Sequence, residues 1–155
     1  LPDRRIDDDG AAMLRLSGGA SGVMSVSQVC SGAANGLAIE VYGDEASLHW
    51  AHADPNTLTI RHRGKPEQVL KPGNNMTYLS DAAVARAHLP AGHPEGFNEA
   101  FADLYADFAR AVNAWPANTD SGCATVLDGV RGMRFIRAAI NSSNNDSQWT
   151  PLPRE

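Results

Sequence analysis

Residues 37–50 read Leu37-Ala38-Ile39-Glu40-Val41-Tyr42-Gly43-Asp44-Glu45-Ala46-Ser47-Leu48-His49-Trp50. Leu37, Ile39 and Val41 share one face, opposite Glu40 and Tyr42, which is the period of two of a strand with one apolar face. Gly43 to Ala46 is turn chemistry, so residues 47–50 return as a neighbouring strand. Strands joined by so short a turn pair antiparallel.

Outward from this hairpin the same pattern recurs. Residues 11–16 alternate, with Ala12, Leu14 and Leu16 opposite Met13 and Arg15. The glycine-rich residues 17–22 form a turn, and residues 23–30 are β-branched and alternating, completing a hairpin. On the other side, the Asp54-Pro55-Asn56 turn leads to a strand over residues 57–61, and residues 68–70 add a short sixth. A run of strands followed by a run of helices predicts an α+β fold, with a largely antiparallel β-sheet and helices packed on one face.

The first long helix starts near Pro94. Phe97, Phe101, Leu104, Tyr105, Phe108 and Val112 recur at helical spacing, and this stripe is read as core that fixes the helix on the sheet. Each such side chain contributes about 1.5–3 kcal/mol when fully buried. A second helix begins at Thr125, with Asp128 completing a capping box. Its stripe is Val126, Val130, Met133, Ile136 and Ile140, with Phe135 on another side. Residues 148–152 are read as a closing edge strand, because Pro151 lacks a ladder donor. Between Lys71 and His93 lies a long connection with one short helix over residues 81–88. Connections of this length are often binding loops.

Composition narrows the function. With 43% hydrophobic and 20% charged residues and a net charge of −5, the 155 residues suit one globular domain, residues 1–155. Basic residues are scattered, which argues against a nucleic-acid partner. No apolar run is long enough for a membrane helix. Cys30 and Cys123 form no CxxC pair, so neither a disulfide framework nor a zinc site is expected. The charged opening, residues 1–9, is unlike a signal peptide, and the lack of an initiator Met suggests a fragment.

Candidate chemistry is sparse. His49 and His52 form an H-x-x-H pair with no third ligand in view, so no metal is expected. Gly18, Gly19 and Gly22 fit no G-x-G-x-x-G and open no helix. Ser21, Ser25, Ser27 and Ser31 lie in no nucleophile elbow. Asn75-Met76-Thr77 is a formal sequon. His88 and His93 flank Leu89-Pro90-Ala91-Gly92 just before the aromatic helix, whose N-terminus favours polar or anionic groups. A neutral imidazole there could hydrogen-bond a substrate hydroxyl; a surface or capping histidine is the alternative.

Several stretches together resemble a known family. They are Ser27-Gln28-Val29-Cys30-Ser31-Gly32, Asn35, Glu40, Gly43 and Ala46-Ser47-Leu48-His49-Trp50; then Leu89-Pro90-Ala91-Gly92-His93-Pro94-Glu95-Gly96-Phe97; and Asp128-Gly129-Val130-Arg131. From about Asp8 to Leu152 the chain looks like the C-terminal domain of the glucose–fructose oxidoreductase / inositol dehydrogenase (Gfo/Idh/MocA) family. The resemblance implies an NAD(P)-dependent oxidoreductase that moves hydride between nicotinamide and a sugar or polyol. An N-terminal Rossmann domain, absent from this chain, would carry the NAD or NADP. The present chain would supply substrate-pocket walls and, through the open sheet face, a homo-oligomer interface. A cytoplasmic location is the default.

The family's usual catalytic lysine, aspartate and histidine have no counterpart here, so no catalytic residue is expected in this chain, and it is expected to bind no cofactor alone. Many close relatives carry a basic pair where this chain has Ala33-Ala34, so their substrates do not transfer directly. The resemblance makes His93 a substrate-pocket residue, with Gln28 and Asn35 as further candidates. Two other classes compete: a stand-alone binding or dimerisation module, and a small α+β enzyme acting through His88 or His93.

Overall fold

The computed structural model describes residues 6–116 and 122–152; of the charged opening run, Leu1 to Arg5 lie outside them. Its elements are β1 (Asp9–Arg15), β2 (Ser21–Ser27), β3 (Ala38–Tyr42), β4 (Ala46–Ala51), β5 (Leu58–His62), β6 (Gln68–Leu70), α1 (Asp81–Val84), α2 (Phe97–Ala114) and α3 (Val126–Ser143). Strands precede helices and every strand pairing is antiparallel. The α+β expectation holds.

Two compact units divide the chain: residues 34–123, and residues 1–33 together with 124–155. In the latter, β1 and β2 form a hairpin in register Ala12↔Met24. Ala12 and Leu14 are half-buried while Met13 and Arg15 are exposed, as alternation requires. The Arg15 guanidinium lies 3.9 Å from the centroid of the Trp149 ring, a cation–π contact. Thr125 caps α3, its hydroxyl oxygen accepting from the Asp128 N–H, while the Asp128 carboxylate accepts from the Thr125 N–H at 2.8 Å. The capping box read from the sequence is present.

In residues 34–123, β3, β4, β5 and β6 form a meander in that order. Its register sets Glu40, Tyr42, His49, Ser47, Thr59 and Arg61 on a mixed face, and Ile39, Val41, Leu48, Trp50 and Ile60 on an apolar one. The strands thus form two sheets rather than one. The break falls at the turn after β2, where Ala33 N–H reaches the Cys30 carbonyl at 3.1 Å and glycines leave no strand-forming run.

Three readings are corrected. Residues 148–152 form no strand. Positive φ at Asp146 and Ser147 redirects the chain, and the Ser142 hydroxyl takes the Gln148 carbonyl at 2.7 Å in place of a strand partner. The short helix α1 ends at Val84, not His88, because Arg86 turns away to an ion pair.

The third correction concerns α2. Its aromatic stripe is not core: Phe97 is 62% exposed, Tyr105 71% and Phe108 61%. The half-buried or buried positions are Glu99, Asp103, Asp107, Ala111 and Ala114, the other side of the same helix. The stripe of α3 behaves alike, with Val126 84% exposed and Phe135, Ala138 and Ser142 half-buried. Helical spacing identifies an apolar face but not what lies against it.

Candidate functional site

The buried side of α2 is polar because it meets a polar segment. Arg86 reaches Asp107 in a two-pronged contact, at 3.1 Å and 2.9 Å to its two oxygens. Arg110 pairs with the same carboxylate, and Asp103 lies 3.6 Å from Arg86. Asp107 is 2% exposed; a carboxylate so placed needs paired charges. The Arg86 guanidinium beside it is the main reason that its carboxyl sits below the usual carboxylate range, with Arg110 adding to the effect.

This ion-pair cluster anchors the start of residues 88–96. His88 Nε2 lies 3.0 Å from Asp103. Behind the loop runs the segment after β6: Asn74 N–H donates to the Leu89 carbonyl at 3.0 Å. The Asn74 side chain donates to the His88 carbonyl at 2.9 Å, and Asn75 Oδ1 accepts from Ala91 N–H at 3.2 Å. Gly73 allows that approach, since a Cβ there would stand 2.5 Å from Ala91 N. The Glu95 carboxylate closes the loop by accepting the His88 and Leu89 N–H groups.

His93 sits on this loop, exposed, after Gly92, whose φ of +90° few other residues adopt. Its N–H donates to the Pro90 carbonyl at 3.2 Å, and ring Nδ1 lies 3.1 Å from the same oxygen. A carbonyl can only accept, so the neutral ring carries its proton on Nδ1 and leaves the Nε2 lone pair as an acceptor. Among the described residues Nε2 has no partner. His88 differs, because its Nε2 is taken by Asp103.

The N-terminus of α2 is occupied from within. Gly96 N–H donates to Glu99 Oε2 at 2.8 Å, and this backbone contact first of all holds the Glu99 carboxyl below its ordinary value. The helix end therefore spends part of its donor capacity on its own carboxylate.

The other sequence candidates are scattered. Gln28 follows β2, exposed, its N–H on the Asp8 carbonyl at 2.7 Å; it belongs to a different unit from His93. Asn35 is exposed in the approach to β3, and no hydrogen bond joins it to His93 among the described residues. His49 is bound instead to Glu40, Nδ1 to Oε1 at 3.1 Å, and the Tyr42 hydroxyl donates to the same carboxylate at 2.7 Å. That tyrosine hydrogen bond chiefly lowers the Glu40 carboxyl and, reciprocally, raises the Tyr42 phenol. His52 lies edge-on to the Trp50 ring. No group of three or more His, Cys, Asp or Glu residues is gathered to hold a metal among the described residues.

Sequence reasoning missed Gly73, Asn56, Arg86 and Glu95, the residues that shape the loop. Only the Asn56 turn and the Pro94-Glu95-Gly96 punctuation hinted at them, since partners distant along the chain leave no local signal. The glycine run at residues 17–22 is the β1–β2 turn, with Leu16 N–H on the Ala20 carbonyl at 2.9 Å. It opens no helix. No helix among the described residues is long and apolar enough to cross a membrane.

Comparison with known proteins agrees with the motifs. Residues 2–152 match the model of an oxidoreductase family's C-terminal alpha/beta domain. The uncharacterized oxidoreductase YfiI of Bacillus subtilis is 32% identical over 149 residues, which are 93% of this chain and 37% of that protein. An oxidoreductase of Pseudomonas syringae superposes with a TM-score of 0.87 at 33% identity, covering 97% of this chain and 42% of that one. An inositol dehydrogenase homologue of Azotobacter vinelandii, in complex with NADH and myo-inositol, gives 0.82 at 34% identity, over 91% and 38%. The chain therefore spans about two-fifths of the length of these relatives. With nearly the whole chain matched, it belongs to the Gfo/Idh/MocA oxidoreductase family, as its C-terminal alpha/beta domain.

Proposed function

We propose that this chain is the substrate side of an NAD(P)-dependent dehydrogenase acting on a sugar or polyol, with the nicotinamide carried by a Rossmann domain outside these residues. His93 carries the reading: a neutral imidazole with Nε2 turned out of a braced loop accepts a hydrogen bond from a substrate hydroxyl. Gln28 and Asn35 are exposed polar side chains, each a further candidate for substrate contact on its own unit. The complex of the Azotobacter vinelandii homologue with NADH and myo-inositol supports both the cofactor class and the polyol class. The residues of this chain hold and orient the substrate; no hydride or proton step is assigned to them.

The mixed face of the β3–β6 sheet is the proposed homo-oligomer interface. Tyr42 is 74% exposed there, beside Glu40, His49 and Arg61, and an exposed face with an aromatic residue and paired charges suits an isologous contact. A cytoplasmic location accompanies the dehydrogenase reading.

The test is an assay of the whole gene product with NAD+ and NADP+ against cyclitols, alditols and aldoses, myo-inositol among them. Reduction of either cofactor by one of these substrates is expected. His93→Ala should then lower kcat/KM by about tenfold to a hundredfold, the loss of one substrate hydrogen bond of roughly 1–3 kcal/mol. Unchanged kinetics removes His93 from the pocket. Failure to reduce either cofactor with any of these substrates favours the stand-alone binding module instead.

A further inference from the structure

We infer that Asn56 and Glu95 are positioning residues for His93, a two-part brace that sets the geometry in which the imidazole meets substrate. The inference rests on the reading of His93 as a pocket residue.

Glu95 works through its side chain and its backbone at once. Its Oε1 accepts from Leu89 N–H at 2.5 Å and from His88 N–H at 2.8 Å, with Oε2 3.1 Å from the latter donor. This ties the beginning of the loop to its end, with His93 between them. The backbone of Glu95 is in turn held by Asn56, in the turn between β4 and β5. Asn56 Nδ2 donates to the Glu95 carbonyl at 2.6 Å, and Asn56 Oδ1 accepts from Glu95 N–H at 3.1 Å. A carboxamide is suited to giving and taking at one residue's backbone in this way. An aspartate would keep the acceptor, lose the donor, and set a charge against a carbonyl oxygen.

A nine-residue segment that includes Gly92 has many conformations open to it, and each unbraced residue costs backbone entropy to order. The brace meets that cost in the free protein. Substrate then encounters an imidazole already oriented, which is where small displacements are felt most in binding. Glu95 and Asn56 are themselves half-buried and face the loop rather than the solvent side where His93 stands, so they act through His93.

The experiment uses two near-isosteric variants, Glu95→Gln and Asn56→Asp, so that failure of one to fold leaves the other. Backbone amide exchange is followed by NMR, and kinetics are measured on the whole gene product with myo-inositol, or with the best substrate of the panel above. Glu95→Gln should speed exchange at His88 and Leu89, and Asn56→Asp at Glu95, each on the order of tenfold. Both should raise KM by about five- to twentyfold with kcat within about twofold, and the rise should vanish in a His93→Ala background. Exchange that stays slow, or a KM effect that persists fully without His93, overturns the brace. Faster exchange beside a silent His93→Ala instead overturns the reading of His93, and the positioning role with it.

Discussion

Helix α2 has two faces, and the less obvious one does the holding. Phe97, Phe101, Leu104, Tyr105, Phe108 and Val112 make the apolar stripe, yet they stand exposed. Glu99, Asp103 and Asp107 line the opposite side, which is the side turned inward. Each of the three is met: Glu99 by the Gly96 N–H, Asp103 by His88 and Asp107 by Arg86 and Arg110. Directional contacts of this sort hold a loop in one geometry. A greasy face attracts any apolar neighbour without choosing its orientation.

The sharpest way to break the comparison is Asp107→Ala. It leaves two arginines without their shared partner, and thermal melting at neutral pH should fall more than for any other variant named here. The pH dependence has a definite sign. Because the folded-state pKa lies below the unfolded value, the stabilisation is present above the ordinary carboxylate range. It is lost as pH falls through the lowered value. The gap between wild type and Asp107→Ala should therefore be full at neutral pH and close on acidification; a gap that widens in acid would contradict the pairing.

Gly73→Ala follows, at about 1–3 kcal/mol in urea unfolding, since its Cβ would collide with the Ala91 backbone and something must shift. A neutral result would mean that the loop is not packed on residues 73–75. Thr125→Ala, at the N-cap of α3, is a local comparison: loss of the cap should cost about 1 kcal/mol, without changing amide exchange in residues 88–96. Phe108→Ala is the smallest and the most discriminating. As a core residue it would cost about 3–5 kcal/mol, whereas an exposed position gives a change within about 0.5 kcal/mol. A large loss would restore the stripe to the core.

Much of the architecture was legible before any coordinates. Alternation over residues 37–42 and the Gly43 turn predict β3, β4 and their pairing, because a period of two is a local property of the chain. Thr125 with Asp128 predicts the start of α3 for the same reason: a capping box closes within one turn. The edge strand at residues 148–152 failed because strand formation needs a partner, and the Ser142–Gln148 contact took the available carbonyl. His93 was picked out by its neighbours, but which ring nitrogen faces outward follows from the Pro90 carbonyl alone.

Sequence by itself determined most of the elements, their order, the antiparallel pairing and the family motif around His93, since all of these depend on residues close along the chain. Tertiary structure alone decided which face of α2 turns inward and how Asn56, Gly73 and Arg86 converge on residues 88–96. Those choices depend on hydrogen bonds and ion pairs between residues far apart in sequence. Their energy exists only once the chain has brought the partners within about 3 Å of one another.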